Sequence, residues 1–130
     1  MEKNRQAGST IMLVEDDEIN RSMLRQLLQN SGYRVVEAGN GPEALEVARR
    51  EHPIVILMDL DLPELDGIGA TRRIRENAEL REIPIVMTTA LDTPELRAAA
   101  HDAGCNEFLA KPLDTTKLKK LISSFSLESQ

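Results

Sequence analysis

Five short aliphatic runs, each followed by a segment of helical period, constrain this chain more than any other feature. The most telling run is Ile54 to Met58, five apolar residues without alternation that end at Asp59. Pro53 and Pro63 bracket it too closely for a helix, and a strand apolar on both sides belongs in the middle of a parallel sheet. The other runs are Ile11-Met12-Leu13-Val14, Arg34 to Ala38 centred on Val35 and Val36, Ile83 to Met87, and Phe108-Leu109-Ala110. Between them lie helix stripes. Asp17 caps the first, with Ile19, Met23, Leu24, Leu27 and Leu28 on one apolar face and Ser31-Gly32 as its stop. Asn40-Gly41-Pro42 turns into the second, whose buried side is Ala44, Leu45, Val47 and Ala48. The third starts at Gly67 and runs to about Asn77, its period blurred by Gly69 and by Arg72, Arg73 and Arg75. Leu96, Ala99, Ala100 and Ala103 mark the fourth, and Leu118, Leu121, Ile122 and Phe125 the fifth, with Asp114 as its cap. Alternation of this kind predicts an α/β fold, a five-stranded parallel sheet with helices on both faces joined by right-handed crossovers.

Composition narrows the use of such a fold. A chain of 130 residues suits one domain, and no tandem repeat or linker divides it. Aromatic residues are only 2% of the chain and its net charge is −6, so base stacking and direct nucleic-acid binding are not expected. The single cysteine, Cys105, excludes an internal disulfide and reads as a small buried residue at a helix end. No apolar run reaches membrane-spanning length and Met1 to Thr10 is polar, so the expected setting is cytoplasmic, with no membrane contact. His52 and His101 lack any partner pattern and read as surface or packing residues.

Open parallel sheets build their sites beyond the carboxyl ends of the strands. Here the first run ends in Glu15 and Asp16, the third in Asp59, the fourth in Thr89 and the fifth in Lys111. Carboxylates gathered at one rim repel one another by about 4 kcal/mol per pair at ~4 Å and an effective dielectric near 20. A hard divalent cation such as Mg²⁺ removes that penalty. Asp59 is then placed as a nucleophile toward phosphorus, with the Thr89 hydroxyl and the Lys111 ammonium suited to phosphoryl oxygens. Each residue alone has an ordinary alternative: a helix-start acid (the preferred role of Asp17), a loop carboxylate, a cap, a surface lysine. Four strand ends bearing such chemistry together do not.

In these segments the chain resembles the receiver domain of two-component response regulators, chiefly its single-domain, chemotaxis-regulator-like members. The matching pieces are Met12 to Asp17, Asn40-Gly41 with Glu43-Ala44-Leu45, Ile56 to Asp59 with Pro63 and Asp66-Gly67, Thr88-Thr89-Ala90, and Lys111-Pro112. They cover roughly Ile11 to Phe125. The resemblance implies a flavodoxin-like strand order 2-1-3-4-5 and a phosphorelay role, in which Asp59 accepts a phosphoryl group from a phosphohistidine. It implies Mg²⁺, or Mn²⁺ in its place, on Glu15, Asp16, Asp59 and the backbone carbonyl of Asp61. Thr89, the backbone of Ala90 and Lys111 would contact the phosphoryl group, and the Lys111–Pro112 bond would be cis. Thr89 and Phe108 would form the switch, the ring turning inward as the threonine moves to the phosphate. Phe108 lacks the hydroxyl of the more usual tyrosine and serves equally as core filler. Asp61 and Leu91 fall at positions that tune dephosphorylation, although Asp61 also reads as a solvated loop acid.

Expected partners are a histidine kinase or histidine phosphotransfer protein upstream, docking near the first helix, and an unspecified protein target downstream. Neither His52 nor His101 reads as a phosphohistidine donor. The expected organisation is a lead over 1–10, the receiver over 11–126 and a tail over 127–130. Met1 and the polar lead favour a stand-alone regulator over a receiver excised from a hybrid kinase or larger regulator. Asp59-Leu60-Asp61 also admits a different class, a Mg²⁺-dependent haloacid-dehalogenase-like phosphatase. That family carries its Asp-x-Asp on the first strand, and it would leave Glu15-Asp16 and Lys111-Pro112 unexplained.

Overall fold

A computed structural model describes residues 9–128. Of the expected lead and tail, residues 1–8 and 129–130 lie outside the described residues. The elements run β1 (Thr10–Val14), α1 (Glu18–Asn30), β2 (Arg34–Ala38), α2 (Gly41–Glu51), β3 (Val55–Asp59), α3 (Gly67–Glu76), β4 (Ile85–Thr89), α4 (Pro94–Ala103), β5 (Glu107–Ala110) and α5 (Thr115–Glu128). All strands pair in parallel, in the order β2-β1-β3-β4-β5.

The aliphatic runs are continuous because each strand faces two cores. Met12, Val14, Ile56, Met58, Ile85 and Met87 point to one side and join Ala44, Val47, Ile68, Ile74 and Ala100 from α2, α3 and α4. Ile11, Leu13, Val55, Leu57 and Val86 point to the other and join Leu28, Leu118 and Ile122 from α1 and α5. The period-2 alternation of a strand thus survives as a choice between two apolar layers. Caps start the helices, at Asp17 and Asp114 as expected and also at Asn40, Asp66 and Thr93. Asp17 accepts from Asn20 N, Asn40 from Glu43 N, Asp66 from Gly69 N, Thr93 from Leu96 N and Asp114 from Lys117 N. Cys105 is buried just past Gly104, which ends α4 at φ 114°, and burial pushes its thiol pKa up. His52 and His101 are exposed.

Two expectations need correction. The fourth strand starts at Ile85 instead of Ile83, because Pro84 has no N–H for the ladder and Ile83 N closes a turn onto Leu80 O. The strand continues instead through Thr88 and Thr89. The apolar face of α1 is only half used. Leu28 is buried and Leu24 and Leu27 pack beside it, but Ile19 is 71% and Met23 64% exposed. At 3.6 residues per turn the five residues cover about half the helix circumference, and the sheet meets only one flank of that arc.

Candidate functional site

Strand register brings the chemistry together. Val14 pairs with Met58, so Glu15, one residue on, stands beside Asp59 at the end of β3. Asp59 pairs with Thr88 and Thr89 with Ala110, which sets Thr89 and Lys111 along the same rim. Gly67 closes the floor of the site. A Cβ there would lie 2.5 Å from the Asp59 carbonyl oxygen, so only glycine lets α3 start this near the strand end.

Glu15, Asp16 and Asp59 each offer a carboxylate oxygen within 4.8 Å of the others. Glu15 and Asp59 are buried and Asp16 is exposed. The Lys111 ammonium reaches over both buried acids, donating to Glu15 Oε1 at 3.3 Å and lying 3.4 Å from Asp59 Oδ2. The other oxygen of Asp59 accepts from the Asp61 N–H at 3.1 Å. Burial pushes the Asp59 carboxyl up to about 6. The Asp61 N–H opposes that rise, Glu15 adds to it, and Lys111 offsets part of it. For Lys111, burial acts downward, but the Asp59 and Glu15 carboxylates outweigh it and hold the ammonium above its ordinary value.

This donor set fits a hard divalent cation. Its ligands are oxygens, they are clustered within a few ångströms, and one lysine leaves the negative charge only partly balanced. The Asp61 side chain stands apart from the trio and is exposed. The Lys111–Pro112 peptide is cis.

The β4 side of the rim is arranged differently. The Thr89 hydroxyl is engaged in its own loop, donating to Leu91 O at 3.1 Å and accepting from Leu91 N at 3.0 Å. Leu91 and Ala90 are exposed. Phe108 is buried, and the Arg97 guanidinium lies 4.9 Å from its ring centroid. Arg97 in turn is gripped by both oxygens of Asp92, at 2.7 and 3.3 Å. The ring is therefore inward while Thr89 still holds Leu91. With no hydroxyl to keep wet, a phenylalanine is buried here without a polar cost.

Three arginines matter more than their sequence positions suggest. Arg21 donates to the Glu15 carbonyl and pairs with Glu37, and Arg25 pairs with the same Glu37. Arg75 donates to the carbonyls of Arg81, Ile83 and Gly104 and to Asn106 Oδ1, tying α3 to the turns before β4 and β5. Signals for them exist: Glu37 is a charge inside an apolar strand, and Arg75 continues the buried row Ile68, Thr71 at helical spacing.

The response regulator receiver domain family matches residues 11–123. The polar-differentiation response regulator DivK of Brucella ovis is 35% identical over 116 residues, 89% of this chain and 94% of that protein. Among solved structures, the receiver domain of the sensor histidine kinase PA1611 from Pseudomonas aeruginosa PAO1, which has a magnesium ion coordinated in its active-site cleft, is 38% identical. It superposes with a TM-score of 0.85, covering 92% of this chain and 98% of that one. The Vibrio cholerae chemotaxis protein CheY4 is 28% identical with a TM-score of 0.85, covering 92% and 99%. Asp59 ends the third strand and not the first, and no comparison points to a phosphatase of the haloacid-dehalogenase type. With the fold, the acid rim and these relatives in agreement, the chain belongs to the response regulator receiver domain family and is a receiver of two-component signalling.

Proposed function

We propose that the chain, read as one receiver over residues 11–126, carries its signal as a phosphoryl group on Asp59. The observation that carries this is the convergence of Glu15, Asp16, Asp59 and Lys111 from three different strand ends. An Asp59 carboxylate oxygen attacks the phosphorus of a phosphohistidine. The new O–P bond gives an acyl phosphate, the P–N bond breaks, and the imidazole leaves with that electron pair and takes up a proton. Glu15, Asp16, Asp59 and the Asp61 carbonyl would hold Mg²⁺, or Mn²⁺ in its place; the clustered carboxylates, and the magnesium ion in the active-site cleft of the similar Pseudomonas receiver, support the Mg²⁺ reading. Such a cation would neutralise the crowded carboxylates and supply positive charge against phosphoryl oxygens.

Lys111 already lies on Asp59 and follows the added charge onto the phosphoryl oxygens. Thr89 releases Leu91 and turns its hydroxyl to the phosphoryl group, and the Ala90 N–H donates beside it. The freed β4–α4 loop then alters the surface around Phe108, so that one new charged group biases a two-state element. Asp61 and Leu91 flank the acyl phosphate and set how readily water reaches it.

A histidine kinase or histidine phosphotransfer protein is the donor. The exposed Ile19 and Met23 on α1, beside a groove lined by Leu24, Pro112 and Leu113, support docking there. The receiver of the message is a protein, since a net charge of −6 disfavours nucleic acid. Among the described residues no helix is long and apolar enough to cross a membrane, in keeping with a cytoplasmic setting.

The chain is a phosphoacceptor and not a phosphatase toward outside substrates. With Mg²⁺ and a small acyl phosphate, phosphoryl uptake should stop near one per chain, and a phosphomonoester should give essentially no turnover. Sustained phosphomonoester hydrolysis would overturn this reading.

A further inference from the structure

Arg21 lies in α1, beyond the turn that carries the two metal-facing acids, and folds back onto that turn. Its Nη1 donates to the main-chain carbonyl of Glu15 at 2.9 Å, the oxygen of the peptide that joins Glu15 to Asp16. The other end of the guanidinium is anchored outside the rim, with Nε 3.0 Å from Glu37 Oε1. Glu37 is in turn steadied by Arg25, whose Nη1 lies 2.7 Å from Oε2. On its other side Glu15 is fixed as well, its N–H donating to the Ala38 carbonyl at 3.1 Å. The peptide groups flanking Glu15 are thus tied to β2 in one case and to a β2-anchored arginine in the other.

We propose that Arg21 is a positioning residue for the cation site. By holding the Glu15–Asp16 peptide in one orientation, it fixes the directions in which the two carboxylates leave the chain. The inference rests on the reading of Glu15, Asp16 and Asp59 as metal ligands. Mg²⁺ tolerates little departure from octahedral geometry, so a peptide free to rotate between two of its ligands costs affinity. Groups that orient metal ligands from outside typically change metal affinity by about 10–100-fold when removed.

Charge alone predicts the opposite sign, and this makes the role testable. A guanidinium near the rim repels a second cation, so removing it should tighten Mg²⁺ binding if electrostatics were its only effect. Arg25 provides the control, since it places an equal charge on the same Glu37 without touching Glu15.

Mg²⁺ affinity is measured calorimetrically on the full chain for the wild type, Arg21→Gln, Arg21→Lys and Arg25→Gln, with metal-free thermal melts alongside. Arg21→Gln should weaken binding about 10–100-fold, as expected of an orienting group. Arg21→Lys keeps the charge but lacks the fork that spans carbonyl and carboxylate, so it should also weaken binding, severalfold. Arg25→Gln removes a neighbour of Glu37 but leaves Arg21 on both the Glu15 carbonyl and Glu37, so it should change affinity far less than Arg21→Gln; an equal loss in the two variants would overturn the inference. If Arg21→Gln does not fold, Arg21→Lys carries the test. Wild-type affinity or tighter in the folded Arg21 variants would overturn the inference alone. A wild type that binds no Mg²⁺ would overturn the metal site and the inference with it.

Discussion

Two neighbouring stretches of one rim are held by opposite means. Around Asp59, two buried carboxylates and a third nearby are crowded together with a single lysine, and burial holds Asp59 far above an ordinary aspartate. Around Thr89 there is no such crowding. A hydroxyl is satisfied by its own loop, and a phenylalanine is covered by an arginine whose charge is met by Asp92. The acid corner is poised for an incoming cation. The β4 flank rests on small, replaceable contacts, as the proposed switch would require. Unfavourable crowding sits where the proposed ligand would bind, and weaker bonds sit where the proposed switch would move.

The largest test of that contrast is Asp59→Asn in metal-free solution. The Asp59 carboxyl is raised from 3.8 to about 6, so between those values the folded chain keeps a proton that the unfolded chain has released. The folded state then binds more protons, and stability from this group falls as pH rises, levelling off above about 6. A shift of about two units corresponds to about 3 kcal/mol. Denaturant unfolding at pH 8 should therefore find Asp59→Asn more stable than wild type by about 2–3 kcal/mol, and the gap should close toward pH 4. Mg²⁺ should close it too, adding about 2.7 kcal/mol to the wild type at a hundred times its dissociation constant. An equal gap at both pH values would remove the strain assigned to the acid corner.

On the other flank the effects should be smaller. Thr89→Ala removes both bonds to Leu91; Thr89 is buried, but Leu91 is exposed and its backbone can turn to water, so unfolding should show a loss of only about 1 kcal/mol. The variant should still take up the phosphoryl group, while NMR shifts near Phe108 no longer respond to it. Arg97→Gln is the mildest change. It removes an exposed cation from an aromatic face, worth about 0.5–1 kcal/mol, and should leave phosphoryl uptake unchanged while moving the Phe108 ring resonances. A loss from Arg97→Gln as large as the Asp59 effect would erase the contrast.

Much of this was legible in the sequence, for physical reasons that also explain the exceptions. Strands buried on both faces leave continuous aliphatic runs, and Ile54 to Met58 between two prolines admitted little else. The acids and Lys111 stood out because charges directly after such runs fall on one rim once the strands are parallel. The sequence hints that some side chains are buried or paired, but does not show which partners packing gives them. Ile19 and Met23 fit the apolar stripe of α1 as well as Leu28 does, and only the width of the sheet decides which is covered. Arg75 looked like a charge that blurs a helix, yet it serves carbonyls that chain order does not place nearby. The hold of Arg21 on the Glu15 carbonyl depends on Glu37 arriving from the adjacent strand. That pairing belongs to the fold and not to either segment alone.

The central claim is that Asp59 takes the phosphoryl group with the help of its acidic neighbours. Mass spectrometry after treatment with a small acyl phosphate and Mg²⁺ tests it most directly. The account predicts one phosphoryl adduct that maps to Asp59, absent in Asp59→Asn and absent when the metal is chelated. An adduct that persists in Asp59→Asn, or that forms equally well without metal, would contradict it.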